Sequence, residues 1–170
     1  IFKQGEIQII TTEAQKLKQA FQTGRTLKQM GFEVMTGNFV WNQNKDVLTR
    51  VQSDNIRLIW ACNIVDNTLV WDPKKLNLTD PTKTSHQKGQ YVKYIKGEHS
   101  LTRLIPHEGK WKAQKLPQPI NVKSIVVNRV TGTANNATLR AAIVDIGEYY
   151  FVENHVNYIV ATESAAMSLE

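Results

Sequence analysis

Glu153, Asn154 and His155 stand in a row, and a carboxylate beside an imidazole is the residue set of a metal-dependent nuclease triplet. Such a centre needs further carboxylates converging on the ion, and the same three residues also make a natural turn between two apolar runs. Asp145 and Glu148 form a second acidic pair. They flank Ile146-Gly147, a turn signal where acids are ordinary. The four histidines, His86, His99, His107 and His155, lack metal-ligand spacing. A single cysteine, Cys62, excludes both a cysteine zinc cluster and an internal disulfide. No glycine-rich cofactor turn, phosphate loop or nucleophile elbow is present. The chain does not read as a complete enzyme.

Charge is the stronger signal. The chain carries +6 overall, from 21 Lys and Arg against 15 Asp and Glu. Residues 73–130 hold twelve of the bases and three of the acids, so this segment is +9 and the remainder −3. A polyanion meets that segment first, because phosphate binding releases counterions locally. A lysine-rich solvated surface is the plainer account of the same numbers. Amides are also abundant, with 13 Asn and 12 Gln. They pair with adenine edges in DNA, although Asn also favours turns.

Aromatic residues flank or interleave with the basic stretch: Trp41, Trp60, Trp71, Tyr91, Tyr94 and Trp111. Aromatics beside cations stack on unpaired bases. Trp60, inside an apolar run, reads as core. Trp111, between Lys110 and Lys112, is the best candidate for an exposed stacking residue.

The elements that must position these groups follow from periodicity. Thr12 to Met30 reads as helix, with Ala14, Leu17, Ala20 and Phe21 on one face. Thr12 and Gln15 have the spacing of a capping box. A helix broken near Gly24 and restarted at Thr26 fits as well as a continuous one, and Gly31 sits where a C-terminal cap belongs. Phe32–Met35 and Phe39–Trp41 read as short strands. Leu58–Val65 reads as one strand, with Asp66-Asn67 as its hairpin turn and Thr68–Trp71 as the return. Residues 72–90 read as a loop, Tyr91–Ile95 as a short strand, and residues 96–121 as irregular, since they contain three prolines. Four apolar runs close the chain: Val122–Val130, Thr138–Asp145, Tyr149–Glu153 and Val156–Val160.

At 170 residues the chain suits one domain. The reading is α+β: an N-terminal helix or broken helix (1–31, a helical lead-in) packed on a mainly antiparallel, β-rich sheet (32–165). No apolar run is long enough for a membrane helix, and the sparse cysteine suits a reducing cytoplasm. The opening Ile1-Phe2-Lys3 without methionine reads as a piece of something longer.

Five segments in order carry a resemblance. They are Gly31 to Asn42 (GFEVMTGNFVWN), Leu58 to Ile64 (LIWACNI), Tyr94-Ile95-Lys96, Ser124 to Thr131 (SIVVNRVT) and Glu153 to Ile159 (ENHVNYI). Together they resemble the TaqI-like C-terminal specificity domain of adenine-specific DNA methyltransferases from bacterial restriction–modification systems. Two departures stand out. Asn38-Phe39 replaces the usual Pro-Val, and Gly132 to Asn136 replaces a charged stretch.

The resemblance implies DNA target recognition for a methyltransferase in a type II restriction–modification enzyme, with or without a fused endonuclease. The partners implied are double-stranded DNA and the catalytic domain of the same polypeptide, with no membrane. The cofactor S-adenosylmethionine belongs to that catalytic domain. This chain lacks the Asn-Pro-Pro-Tyr tetrapeptide of methyl transfer, so no catalytic, metal or cofactor-binding residue is expected in it. Lys93, Lys96, Arg103, Lys110, Lys112, Lys123 and Arg129 are the expected phosphate contacts, with Trp111 beside them. Asn38, Asn42, Asn128 and Thr131 are the candidates for approaching bases, and ordinary strand-end hydrogen bonding suits Asn128 and Thr131 equally well. A small metal-dependent nuclease domain and a structural subunit-docking module are the competing readings.

Overall fold

The structure, a computed structural model, describes residues 2–4, 7–9, 12–72, 89–93, 102–115, 117–129, 139–163 and 165. Two compact units divide the chain: residues 1–33 with 161–168, and residues 34–160 with 169–170. The content is α+β and rich in strands.

In the first unit, β1 (Phe2–Gln4) and β2 (Ile7–Ile9) form an antiparallel hairpin. Helix α1 spans Ala14–Thr23 and ends at Gly24, whose N–H closes on the Ala20 carbonyl at 2.7 Å. The expected Thr12–Gln15 box does not form, since the N-cap is Glu13, whose side chain makes no capping bond. The reciprocal pair forms at Thr26 and Gln29 instead. The Gln29 N–H donates to Thr26 Oγ1 at 3.2 Å, and the Thr26 N–H donates to Gln29 Oε1 at 2.8 Å. The chain therefore breaks at Gly24 and restarts as a 3-10 turn, Lys28–Met30, which Gly31 ends at φ 83°. Only a residue without a Cβ adopts that conformation at no steric cost. The Gly31 carbonyl then accepts both the N–H and the hydroxyl of Thr162 at 2.8 Å.

β3 (Phe32–Thr36) leads from the first unit into the second. The second unit also contains β4 (Leu48–Thr49), β5 (Ile56–Ile59), β6 (Ile64–Val65), β7 (Thr68–Leu69), β8 (Tyr91–Val92), β9 (Thr102–His107) and β10 (Lys110–Lys115). β11 (Ser124–Asn128), β12 (Ala141–Val144), β13 (Tyr150–Val152) and β14 (Val156–Ala161) follow. Strands in the order β12-β11-β14-β3 make one four-stranded sheet, and β13-β5-β8-β4 make the other. β6–β7 and β9–β10 are separate two-stranded ribbons.

The second sheet is mixed, because β13 runs parallel to β5 with Phe151 opposite Leu58 and Val152 opposite Ile59. Alternation along these two strands sends side chains to both faces. Ile59, Tyr150 and Val152 enter one apolar cluster with Val126, Ala142, Val144, Val156 and Tyr158 of the first sheet. Leu58 and Phe151 enter another with Phe39, Leu48, Trp60 and Val92. Phe39 and Phe151 meet at 5.4 Å between ring centroids.

Four strand expectations need correction, the first being Phe39–Trp41, where Phe39 makes an isolated bridge to Glu153 and Trp41 opens the 3-10 turn Trp41–Gln43. Leu58–Val65 is two strands, separated by the 3-10 turn Ala61–Asn63. Fully buried Asn63 causes the break: its Oδ1 accepts the Trp60 N–H and its Nδ2 donates to the Val70 carbonyl, both at 2.8 Å. The turn Asp66-Asn67 does close a hairpin, with both residues at positive φ (47° and 59°), as a two-residue loop prefers. Residues 96–121 are not irregular throughout, since β9 and β10 pair across Glu108-Gly109. Pro106 misleads here, because a two-stranded ribbon has only edges and an edge tolerates proline. Finally, Ile146-Gly147 does not close a hairpin. β12 and β13 belong to different sheets, so the connection crosses between layers.

The seam between the sheets is tied by backbone bonds. The N–H groups of Gly37 and Phe39 donate to the carbonyls of Val156 and Val152 at 2.7 and 2.9 Å. The Glu153 N–H donates to the Ile59 carbonyl at 2.9 Å. A Cβ at Gly37 would sit 2.0 Å from the Glu153 carbonyl oxygen and 2.8 Å from that of Val152, and backbone atoms cannot swing aside as a side chain can. Gly37→Ala should cost about 3 kcal/mol or more, measured as a lower urea midpoint. Gly109→Ala meets nothing within 4 Å and should cost only about 1–2 kcal/mol, for its positive φ.

Tyr150 anchors the same seam. Its hydroxyl donates to the Val122 carbonyl at 2.7 Å and accepts from Ser124 Oγ at 2.7 Å. Burial pushes its phenol from 10.0 up to about 12; the Ser124 hydrogen bond opposes this and Tyr158 adds to it. A raised folded value means that the unfolded phenol ionises first. The contribution to stability is therefore complete below pH 10 and is lost as pH rises through about 12. Denaturant midpoints should fall across that window, and Tyr150→Phe should show a shallower fall over the same pH range.

Candidate nucleic-acid interface

The basic candidates fall into two groups. Arg103, Lys110, Trp111 and Lys112 lie on the β9–β10 ribbon. Its register pairs Lys110 with His107, Lys112 with Ile105 and Gln114 with Arg103. Positions 103, 105, 107, 110, 112 and 114 therefore share one side of the ladder, and position 111 falls on the other with 106. Lys96 and Thr131 lie outside the described residues.

The remaining candidates sit on the two-sheet body. Lys93 is exposed just after β8, with its N–H bonded to the Val47 carbonyl at 2.8 Å. Lys123 is partly neutralised, since its Nζ is 3.1 Å from Asp145. Glu148 approaches Arg57 at 4.0 Å, so Asp145 and Glu148 each face a cation rather than one another. Arg129 is exposed at the end of β11.

The amides serve the fold. Asn38 Nδ2 donates to the Gln118 carbonyl at 2.6 Å, and its Oδ1 lies 3.5 Å from the Val152 N–H. Asn128 is buried, with its Oδ1 accepting the Arg140 N–H at 2.7 Å. This is the strand-end bonding that the sequence offered as its second reading of Asn128. Asn42 is exposed within the 3-10 turn Trp41–Gln43. Trp60 is core, with its indole N–H bonded to the Gly89 carbonyl at 3.2 Å. Trp41 packs beside it, and Trp71 lies under Arg57 at 4.8 Å.

Three residues outside the expected DNA contacts, His155, Glu153 and Arg140, lie at one end of the first sheet. Asn128 pairs with Val156, and the ladder continues one step further, where the Arg129 N–H donates to the His155 carbonyl at 3.2 Å. Arg129 and His155 are thus cross-strand neighbours. Behind His155 lies the carboxylate of Glu153, only 2% exposed. Its Oε1 meets His155 Nδ1 at 2.7 Å, and its Oε2 accepts the His155 N–H at 2.9 Å. The triplet is a turn, as the sequence suggested, but a turn that holds an imidazole in one orientation. Arg140, before β12, exchanges backbone bonds with Asn128 and is the third cation at this end of the sheet. An acid two residues before a histidine is a visible signal for the first pair. Nothing in the sequence pairs residue 129 with 155.

Among the described residues no three His, Cys, Asp or Glu side chains are grouped to hold a metal. No described helix is long and apolar enough to cross a membrane. No family model, curated protein or solved structure matches the chain.

Asn128→Ala removes a bond inside the fold, and leaves the Arg140 N–H without its acceptor. It should lower stability by about 1–3 kcal/mol, measured by denaturant unfolding.

Proposed function

We propose that this chain is a DNA target-recognition domain, which grips a duplex while an adenine-specific, S-adenosylmethionine-dependent methyltransferase domain of the same bacterial polypeptide acts on an extruded base. The observation that carries the reading is the basic two-stranded ribbon β9–β10. Arg103, Lys110 and Lys112 occupy one side of its ladder, within a segment that carries +9. The major groove of B-form DNA admits a two-stranded ribbon of this kind. Base extrusion costs a few kcal/mol of unstacking, and phosphate contacts away from the extruded base supply free energy against that cost. The order of the five family-like segments supports the same reading.

A second reading, a subunit-docking module, draws on the apolar outer side of the first sheet, where Val34 is 54% and Ile143 49% exposed. It expects no duplex binding even at low salt.

Duplex affinity should fall steeply with salt, by a log–log slope of about −0.9 per phosphate contact. Reversing Lys110 and Lys112 to Glu should weaken binding and flatten that slope by about 2. Fluorescence anisotropy with a labelled duplex from 50 to 200 mM salt measures both. An unchanged slope removes the ribbon from the interface, and no binding by the wild type favours docking.

A further inference from the structure

The pair formed by Arg129 and His155 is unusual for a ladder position. The backbone bond from the Arg129 N–H to the His155 carbonyl, one step past the last ladder pair, brings a permanently charged residue beside a histidine, and neither is shielded from water. The His155 side chain is 58% exposed, and Arg129 is exposed as well. Neither side chain meets any other acid among the described residues.

The imidazole is also pre-set. Buried Glu153 takes Nδ1 at 2.7 Å, which fixes the ring and leaves Nε2 as its outward nitrogen. A carboxylate on Nδ1 selects the tautomer in which that nitrogen carries the proton. The outward nitrogen is then a donor whenever the ring is charged.

The surroundings are short of negative charge. Residues 36–44, which bond to the turn through Phe39 and Asn154 at 3.1 Å, contain no charged residue. Among the described residues, the charged groups that bear on His155 are Glu153 on its own segment, Arg129 beside it and Arg140 one strand further. Lys123 and Asp145, the nearest ion pair on this sheet, lie at its opposite end.

We propose that Arg129 and His155, with Glu153 as the positioning residue, form a phosphate-binding site that engages a backbone phosphodiester of the duplex, in which His155 contributes a charge-assisted hydrogen bond only when protonated. Arg129 supplies a permanent charge and His155 a conditional one, so the grip on phosphate tightens when the ring takes up its second proton. The choice of a phosphodiester as ligand rests on the DNA-recognition reading. The site itself rests on the ladder geometry.

The test uses the full chain labelled with 15N, following the His155 imidazole nitrogens by NMR during titration with a short duplex and, separately, with pyrophosphate. Duplex affinity is measured in parallel at pH 5.8 and 7.6 for the wild type, His155→Gln and Arg129→Gln. Both substitutions lie at exposed positions, and circular dichroism checks their folding. Expected are a His155 Nε2 shift with either titrant and a several-fold gain in wild-type affinity at pH 5.8. His155→Gln should lose part of that gain and about 1 from the salt slope at pH 5.8, but little at pH 7.6. Arg129→Gln should lose about 1 from the slope at both pH values.

Duplex binding that both variants leave unchanged would overturn the site while leaving the recognition reading intact. A wild type that ignores duplex, yet shifts His155 with pyrophosphate in an Arg129-dependent way, would overturn the recognition reading and keep the site. Silence of His155 toward both titrants would end the proposal.

Discussion

The strand Tyr150–Val152 has no face left for water. Tyr150 and Val152 fill the apolar cluster between the two sheets, while Phe151 fills the cluster on the far side of the second sheet. Parallel pairing with Leu58 and Ile59 holds it in place, and the backbone at its end takes bonds from Phe39 and gives one to Ile59. Every polar group that leaves this strand must therefore be satisfied nearby. Glu153 is the first residue past its end. Its buried carboxylate finds its partners in the His155 backbone and ring, and the geometry of the exposed imidazole follows from that need.

The same constraint explains why the family-like segments are where they are. Gly37 and Phe39, Ile59 to Asn63, and Glu153 to Val156 converge on one seam, and their bonds to one another are mostly backbone or buried amide. Asn63, Asn38 and Asn128 satisfy carbonyls and N–H groups of neighbouring loops and strands. The residues that give the sequence its familiar look are thus mainly determinants of shape. The cations that would meet a ligand lie at the margins, on the β9–β10 ribbon and at the ends of β11 and β14.

Much of this was legible from one dimension of information. The α+β content, the cap at Gly31, the Asp66-Asn67 hairpin and the four C-terminal apolar runs all follow from local chemistry, which left the break near Gly24 as one of two readings. The errors share one cause. Apolar runs such as Leu58–Val65 and Tyr149–Glu153 announce strands, but they do not announce partners, so a turn at Gly147 looks like a hairpin when it crosses between layers. Pro106 hid the β9–β10 ribbon because proline is read as a breaker unless the strand is known to be an edge. At the candidate interface, the excess of lysine was visible, but the Arg129–His155 pairing depends on a ladder register that no short window contains.

The parallel pairing of β5 with β13 also sets a schedule. Arg57 and Leu58 are made long before Tyr150 and Phe151 exist to pair with them, so during synthesis Leu58, Ile59 and Trp60 wait without their lasting cover. Contacts between residues this far apart in the chain slow folding, and an apolar strand left waiting is open to association with other chains. The seam thus closes only after Tyr150–Val152 has been made, which ties the yield of folded protein to how well those three residues are kept apart from their neighbours until then.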